Sequence, residues 1–281
     1  MSEPSTSSFG IDAITTKTPR VPSRTVWYGL AGVGKTCLTA QYSNCVFAMM
    51  RGETGLLSLL SSGQLRDIPH FPIVDNLDQL KIALGSLEGE HRYKVLNLDS
   101  LDALEQITGQ HVCDKHFGGE WGENGFASYG KGYDLVIQEF DLILRMLDSL
   151  QMRGMTINLI AHSIITTFKN PGGSDYNRYT VNMRPKLWNK VKDWADEVYF
   201  MDYIADGIEG KKKKAIGNYI RYLHTAERPS YDAKSRKGMP ETIKLGESAA
   251  DSFELIKAAA KAVKPQTEPE PKKESTNANE S

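Results

Sequence analysis

Eight residues near the start of the chain, GLAGVGKT (29–36), lie between the apolar run TVWY and the helical segment CLTAQYS. Gly29, Gly34, Lys35 and Thr36 satisfy G-x-x-x-x-G-K-[ST], in the strand–loop–helix context that a phosphate-binding loop needs. Glycine costs about 0.5–1 kcal/mol relative to alanine inside regular structure, so three in eight positions imply a backbone that must approach something closely. Backbone N–H groups of Gly32, Val33, Gly34, Lys35 and Thr36 are expected to face a β-phosphate, at a helix N-terminus worth about half a positive charge. Lys35 is expected to reach the β- and γ-phosphates, and the Thr36 hydroxyl to coordinate Mg²⁺. With Cys37 beside Thr36, these residues form the expected binding set for ATP. The alternative is a glycine-rich turn that matches by chance.

Such a site needs a second group for the metal at the end of another buried strand. YKVLNLDS supplies Asp99 there, expected to bind Mg²⁺ together with Thr36. The competing reading is a helix N-cap, because LDSLDALEQ could open a helix and aspartate is favoured at that position.

These residues must be held by a larger scaffold. The 281 residues are 40% hydrophobic and 25% charged, proportions that suit one large α/β domain with extensions. TVWYG, NCVFAMM, FPIV, YKVLNLD, MTINLIAH and EVYFMDYI read as strands, and YDLVIQEFDLILRMLDSLQ (133–151) as a helix. Alternation of strands with helices predicts a mostly parallel sheet flanked by helices. The expected divisions are a flexible N-terminal arm (1–20), an ATPase core (21–246), a C-terminal helix (247–263) and a disordered, nearly apolar-free tail (264–281). A net charge of −1 leaves nucleic-acid contacts to local basic patches. Three cysteines form no paired framework, and no signal-peptide pattern or run of about 18 apolar residues is seen. The expectation is a cytoplasmic protein with no membrane contact, in the host cytoplasm if phage-encoded.

GLAGVGKT, VLNLDS and LIAHS together resemble the RecA-type ATPase core, and more closely the phage RecA-like single-strand annealing ATPases of the Sak group, over roughly residues 22–245. The resemblance implies a RecA-like P-loop NTPase fold and roles for four further residues. Glu53, in FAMMRGETGL, matches the glutamate that orients the attacking water. His162, in INLIAHS, matches a polar residue that senses the γ-phosphate and connects to DNA-binding loops. Lys234 and Arg236, in a K-x-R loop, are similar to the trans-acting lysine and arginine fingers of RadA- and DnaB-type ATPases. Each has a plainer reading: a solvated glutamate, a hydrogen-bonded strand-end histidine, a basic surface turn.

Residues 163–192 carry Lys169, Arg178, Arg184, Lys186, Lys190 and Lys192 against Asp175 alone, with Phe168, Tyr176, Tyr179 and Trp188 interleaved. Basic groups that neutralise phosphates and aromatic faces that stack on bases suit single-stranded DNA. The expected DNA-binding set is Lys169, Arg178, Arg184 and Lys186. PKLWNKVKDWADE is predicted to be an amphipathic helix opened by Pro185, whose tryptophans could simply pack inward. The stretch 111–133 reads as a glycine- and aromatic-rich loop, since His111, Cys113 and His116 lack a fourth zinc ligand. EGKKKKAIGNY (209–219) reads as a basic hairpin tip. Taken with the resemblance, the expected activity is an ATPase, stimulated by DNA, that oligomerises or forms filaments with composite ATP sites and promotes annealing or strand exchange. A single-strand-binding protein is a further expected partner. The alternatives are an ATP-dependent DNA motor or loader, helicase-like or packaging, and a nucleotide-switch module with negligible turnover.

Overall fold

The computed structural model describes residues 10–16, 21–65, 67–205 and 219–263. The run TVWYG becomes β1 (Arg24–Gly29), and the glycine-rich loop leads from it into α1 (Lys35–Thr39). The chain continues through β2 (Cys45–Met49), α2 (Gly55–Ser61), α3 (Leu77–Ser86), β3 (Val95–Asp99), α4 (Leu101–Phe117) and α5 (Lys131–Met152). It then forms β4 (Thr156–Phe168), β5 (Tyr176–Val181), α6 (Pro185–Trp194), β6 (Glu197–Ala205), β7 (Tyr219–His224), β8 (Lys234–Ser235), β9 (Thr242–Lys244) and α7 (Ala249–Ala262). The expected tail and most of the basic 209–219 tip lie outside the described residues.

The sheet runs β2-β3-β4-β1-β6-β7-β9, parallel from β2 to β6 and antiparallel beyond, with β5 on β4 and β8 on β6. This is the expected mostly parallel α/β sheet. Its central strands are apolar on both sides because helices cover both faces. Val26, Tyr28, Leu96, Leu98 and Leu159 pack against α4 and α5 on one face. Trp27, Leu38, Tyr199, Met201, Leu223 and Ile256 of α7 form the core of the other. Among the described residues, no helix is long and apolar enough to cross a membrane.

A buried polar relay fixes α1 to the sheet. The Trp27 indole donates to Asn158 Oδ1 at 3.0 Å, Asn158 Nδ2 to Asn97 Oδ1 at 2.8 Å, and Asn97 Nδ2 to the Thr39 carbonyl at 3.3 Å. Each group would otherwise be an unsatisfied buried dipole costing about 1–3 kcal/mol. Two asparagines in otherwise apolar strands thus hold the last residue of α1 against the sheet.

Three local readings are corrected. FPIV makes isolated bridges rather than a strand, pairing Met50 with Val74 and, just before it, Phe47 with His70. Pro69 and Pro72 have no N–H to donate and cannot sustain a ladder. The stretch 111–133 starts as helix: α4 extends to Phe117, with Cys113 buried, before a loop and a short 3₁₀ turn at Ser128–Gly130. β4 does not stop at His162. The β-branched run IITT continues it to Phe168, where it leaves the buried sheet and pairs with β5 from Ser163↔Val181 to Phe168↔Tyr176.

Candidate functional site

The loop leaves β1 at Gly29, where a Cβ would lie 2.1 Å from the Met201 carbonyl oxygen on β6, so only glycine lets the two strands close. Gly34 precedes α1 with φ +100°, and a Cβ there would also come within 2.9 Å of the Arg221 guanidinium. Lys35 is buried, its ammonium donating to the carbonyls of Gly29 at 3.1 Å and Leu30 at 3.0 Å. Burial pushes that ammonium down from its ordinary value, and the carboxylates of Asp99, Asp102 and Glu53 oppose the shift.

Thr36 follows, and its hydroxyl donates to Asp99 Oδ2 at 2.9 Å. Asp99 ends β3 as expected, but the cap of α4 is the next residue, Ser100, whose hydroxyl accepts from the Ala103 N–H. The Asp99 side chain is therefore not spent on capping and faces Thr36. The same Ser100 hydroxyl donates to Glu53 Oε1 at 2.6 Å, bringing the glutamate from the β2–α2 loop to the end of β3. A cavity of about 390 Å³ opens over these groups, lined by Gly32, Lys35, Thr36, Glu53, Asp99 and His162.

His162 sits where β4 passes the cavity. Both its backbone N–H and its Nδ1 face Asp102, the ring nitrogen 3.1 Å from Oδ2, and Nδ1 is 3.8 Å from Glu53 Oε1. The hydrogen bond to Asp102 raises the imidazole pKa, burial opposing it, so the charged form is favoured. Burial would raise the Asp102 carboxyl, but His162 pulls it below the usual range. Asp102 is a site residue the sequence reading missed; its signal was a second carboxylate one helical turn beyond Asp99, in LDSLD. Arg221, on β7, left no such signal, because its approach to Gly34 depends on strand pairing.

A family model described as an AAA domain matches residues 22–237. The chain belongs to that family. No curated protein matched it. Membership makes this AAA domain a P-loop NTPase.

The donor set fits the metal that accompanies the nucleotide. Mg²⁺ takes oxygen ligands, often one or two from protein with phosphate and water completing the shell. Thr36 Oγ1 and Asp99 Oδ2, already adjacent, are the residues that would hold it. When bound, the ion would offset charge on the phosphate oxygens.

Asp99 lies in a costly environment, which gives a testable consequence. Burial, with Glu53 nearby, pushes its carboxyl up to about 6, against the Thr36 hydrogen bond and the charges of His162 and Lys35. A folded-state pKa above the unfolded value of about 3.9 means that the folded form holds its proton more tightly, so stability falls as pH rises through that interval. In nucleotide-free protein at pH 7.5, Asp99→Asn is expected to stabilise the fold by on the order of 1–3 kcal/mol and so raise the melting temperature, while impairing Mg²⁺-dependent hydrolysis. The gain should vanish below about pH 4. Thermal melts across pH check it, and a lower melting temperature for the variant at pH 7.5 would refute the assignment.

The remaining predicted residues lie elsewhere. Lys234 and Arg236 are beside the start of β6, where Lys234 pairs with Val198, about 13 Å of strand from the loop that follows β1. Lys234 donates to the carbonyls of Lys192, Asp193 and Ala195 at the C-terminus of α6, and Arg236 pairs with Asp196 at 2.9 Å. Neither is placed to reach the phosphate loop of the same chain. Lys169 and Lys186 are surface cations paired with Asp175 and Asp134, their side chains 83% and 76% exposed. Arg184 is half exposed over the Tyr133 ring.

Arg178 differs from the expectation of a free surface cation. Its side chain is largely buried and paired with Asp232 at 2.8 Å and Glu227 at 2.6 Å. Asp232 also accepts from Thr180, the Trp188 indole and Lys192, which ties β5, α6 and the segment before β8 together. Two carboxylates already neutralise Arg178, and opening that network would leave buried charge unpaired. Trp188 packs inward, as the amphipathic reading of α6 allowed.

Proposed function

We propose that this AAA domain hydrolyses ATP with Mg²⁺, binds single-stranded DNA, and couples the two in annealing or strand exchange, as do the phage RecA-like annealing ATPases that its motifs resemble. The observation that carries the reading is the course of β4. The strand that places His162 beside Glu53 and Asp102 runs on, without a break, into an exposed hairpin bearing Ile164, Ile165 and Phe168. Phe168 stacks on Tyr176, centroids 5.1 Å apart, and Lys169 follows at the turn. A group that responds to phosphate charge and a surface suited to bases thus share one rigid element.

In this reading the fold works as a homo-oligomer in which Lys234 and Arg236 act on a neighbour's nucleotide, consistent with their distance from their own loop. A single-strand-binding protein is the further partner proposed.

The test is the salt dependence of binding to a labelled single-stranded oligonucleotide. Each cation that ceases to neutralise a phosphate is expected to reduce the slope of log K against log salt by about 0.7. Neutralising Lys169, Arg184 and Lys186 together should lower the slope by roughly 2, with nucleotide binding unchanged. An unchanged slope would move the DNA surface away from the hairpin and the start of α6. Processive duplex unwinding without annealing would favour the motor reading instead.

A further inference from the structure

A second cavity, of about 540 Å³, opens between α4, α5, the loop joining them and the turn from β5 to α6. Its apolar part joins three aromatic rings to Val136 and Met183. Phe126 is buried at its base, with Trp121 at 4.6 Å and Tyr133 at 5.0 Å between ring centroids. Trp121 remains 46% exposed. Its indole lies over Gly109 of α4, where a Cβ would stand in ordinary contact at 3.5 Å. The guanidinium of Arg184 covers the other ring, 3.6 Å from the Tyr133 centroid. Around the rim stand the amides of Gln106, Gln110 and Asn182 and the carboxylate of Glu105.

We propose that this cavity is a nucleobase slot, which takes one base of a bound single strand onto the face of Trp121. The inference rests on the DNA-binding reading above and assigns it a base-binding position. An aromatic floor holds any base by its π-face, and rim amides offer both donors and acceptors to a base edge. The sugar–phosphate chain has cations at the mouth: Arg184, 3.6 Å from Glu105, and Lys186, in the first turn of α6, paired with Asp134. Lys186 and Asp134 are both exposed, so phosphate can displace that carboxylate at little cost, whereas Glu105 is only 14% exposed and keeps the Arg184 backbone N–H as a donor when the guanidinium turns to phosphate. The wall is also joined to the nucleotide site. The Asn182 N–H donates to the His162 carbonyl at 2.9 Å, and Glu105, which accepts from the Arg184 N–H, lies one turn along α4 from Asp102.

Trp121 gives the slot its own signal, because Trp27 and Trp188 are buried and Trp194 donates to Asp148 on another part of the surface. Full-length protein is titrated with a single-stranded oligonucleotide and with one of equal length and charge carrying abasic sites. Stacking is expected to quench tryptophan emission, and the abasic strand to bind about tenfold more weakly with little quench. Trp121→Ala should bind the intact strand about tenfold more weakly than wild type and narrow its preference over the abasic strand to what the Phe168–Tyr176 hairpin contributes, with an unaltered salt slope because every cation that meets a phosphate is retained. Trp121→Phe should restore most of the affinity without the quench. If Trp121→Ala disturbs folding, the wild-type comparison of intact and abasic strands decides alone. Tight binding with no quench and no preference for the intact strand would overturn the slot while leaving the DNA-binding reading in place. Absence of binding by either strand would overturn both, and quenching by ATP without DNA would assign the cavity to a different ligand.

Discussion

Lys35→Ala is expected to remove ATP hydrolysis, lowering the rate by at least about 10²–10³-fold, the cost of deleting one well-placed donor to developing charge. The ammonium is held among loop carbonyls at the mouth of β1, the position from which it reaches the β- and γ-phosphates when a nucleotide enters. Its removal should spare the fold, since the relay through Trp27, Asn158, Asn97 and Thr39 anchors α1 independently. Phosphate release and a thermal melt on the same preparation check both halves. Wild-type turnover would refute the phosphate-loop assignment. The same variant tests the proposed assembly, because it keeps Lys234 and Arg236. Mixed with Arg236→Ala, it should regain activity above the sum of the two if the fingers act in trans. A mixture that only sums would return the K-x-R segment to a structural role at the end of α6.

Glu53→Gln is expected to lower kcat by about 10²–10⁴-fold, the range for removing a general base, while nucleotide affinity stays within a few-fold. Glutamine keeps an oxygen to accept from Ser100 and preserves the placement seen here at 2.6 Å. What it cannot do is take a proton from water. Paired measurements of nucleotide binding and single-turnover hydrolysis separate these effects. A variant that turns over near the wild-type rate would leave Glu53 a positioning group for Ser100 and His162, and the base would have to be sought elsewhere.

The parts of this site that were legible in the sequence are those that local chemistry dictates. Gly34, Lys35 and Thr36 announce themselves because a tight left-handed turn, a cation and a hydroxyl are needed in consecutive positions. Asp99 was visible as the polar end of an apolar strand, although only the structure shows that Ser100, not Asp99, caps α4. What stayed hidden depends on contacts between distant segments. Asp102 reads as an ordinary first-turn acid until β4 places His162 against it, and Arg178 reads as a surface cation until Asp232, 54 residues away, closes on it. The length of β4 was missed because the apolar pattern of the sheet ends at Ala161, while the strand continues on β-branched residues that face solvent.

The central claim is that ATP turnover and single-stranded DNA binding are joined through β4. The most direct measurement is steady-state phosphate release by the wild-type protein at saturating ATP and Mg²⁺, titrated with a single-stranded oligonucleotide while binding is followed in the same samples. The expected result is a rate that rises several-fold and saturates together with binding, with Lys35→Ala flat throughout. A rate that stays constant while the DNA goes from absent to fully bound would contradict the coupling.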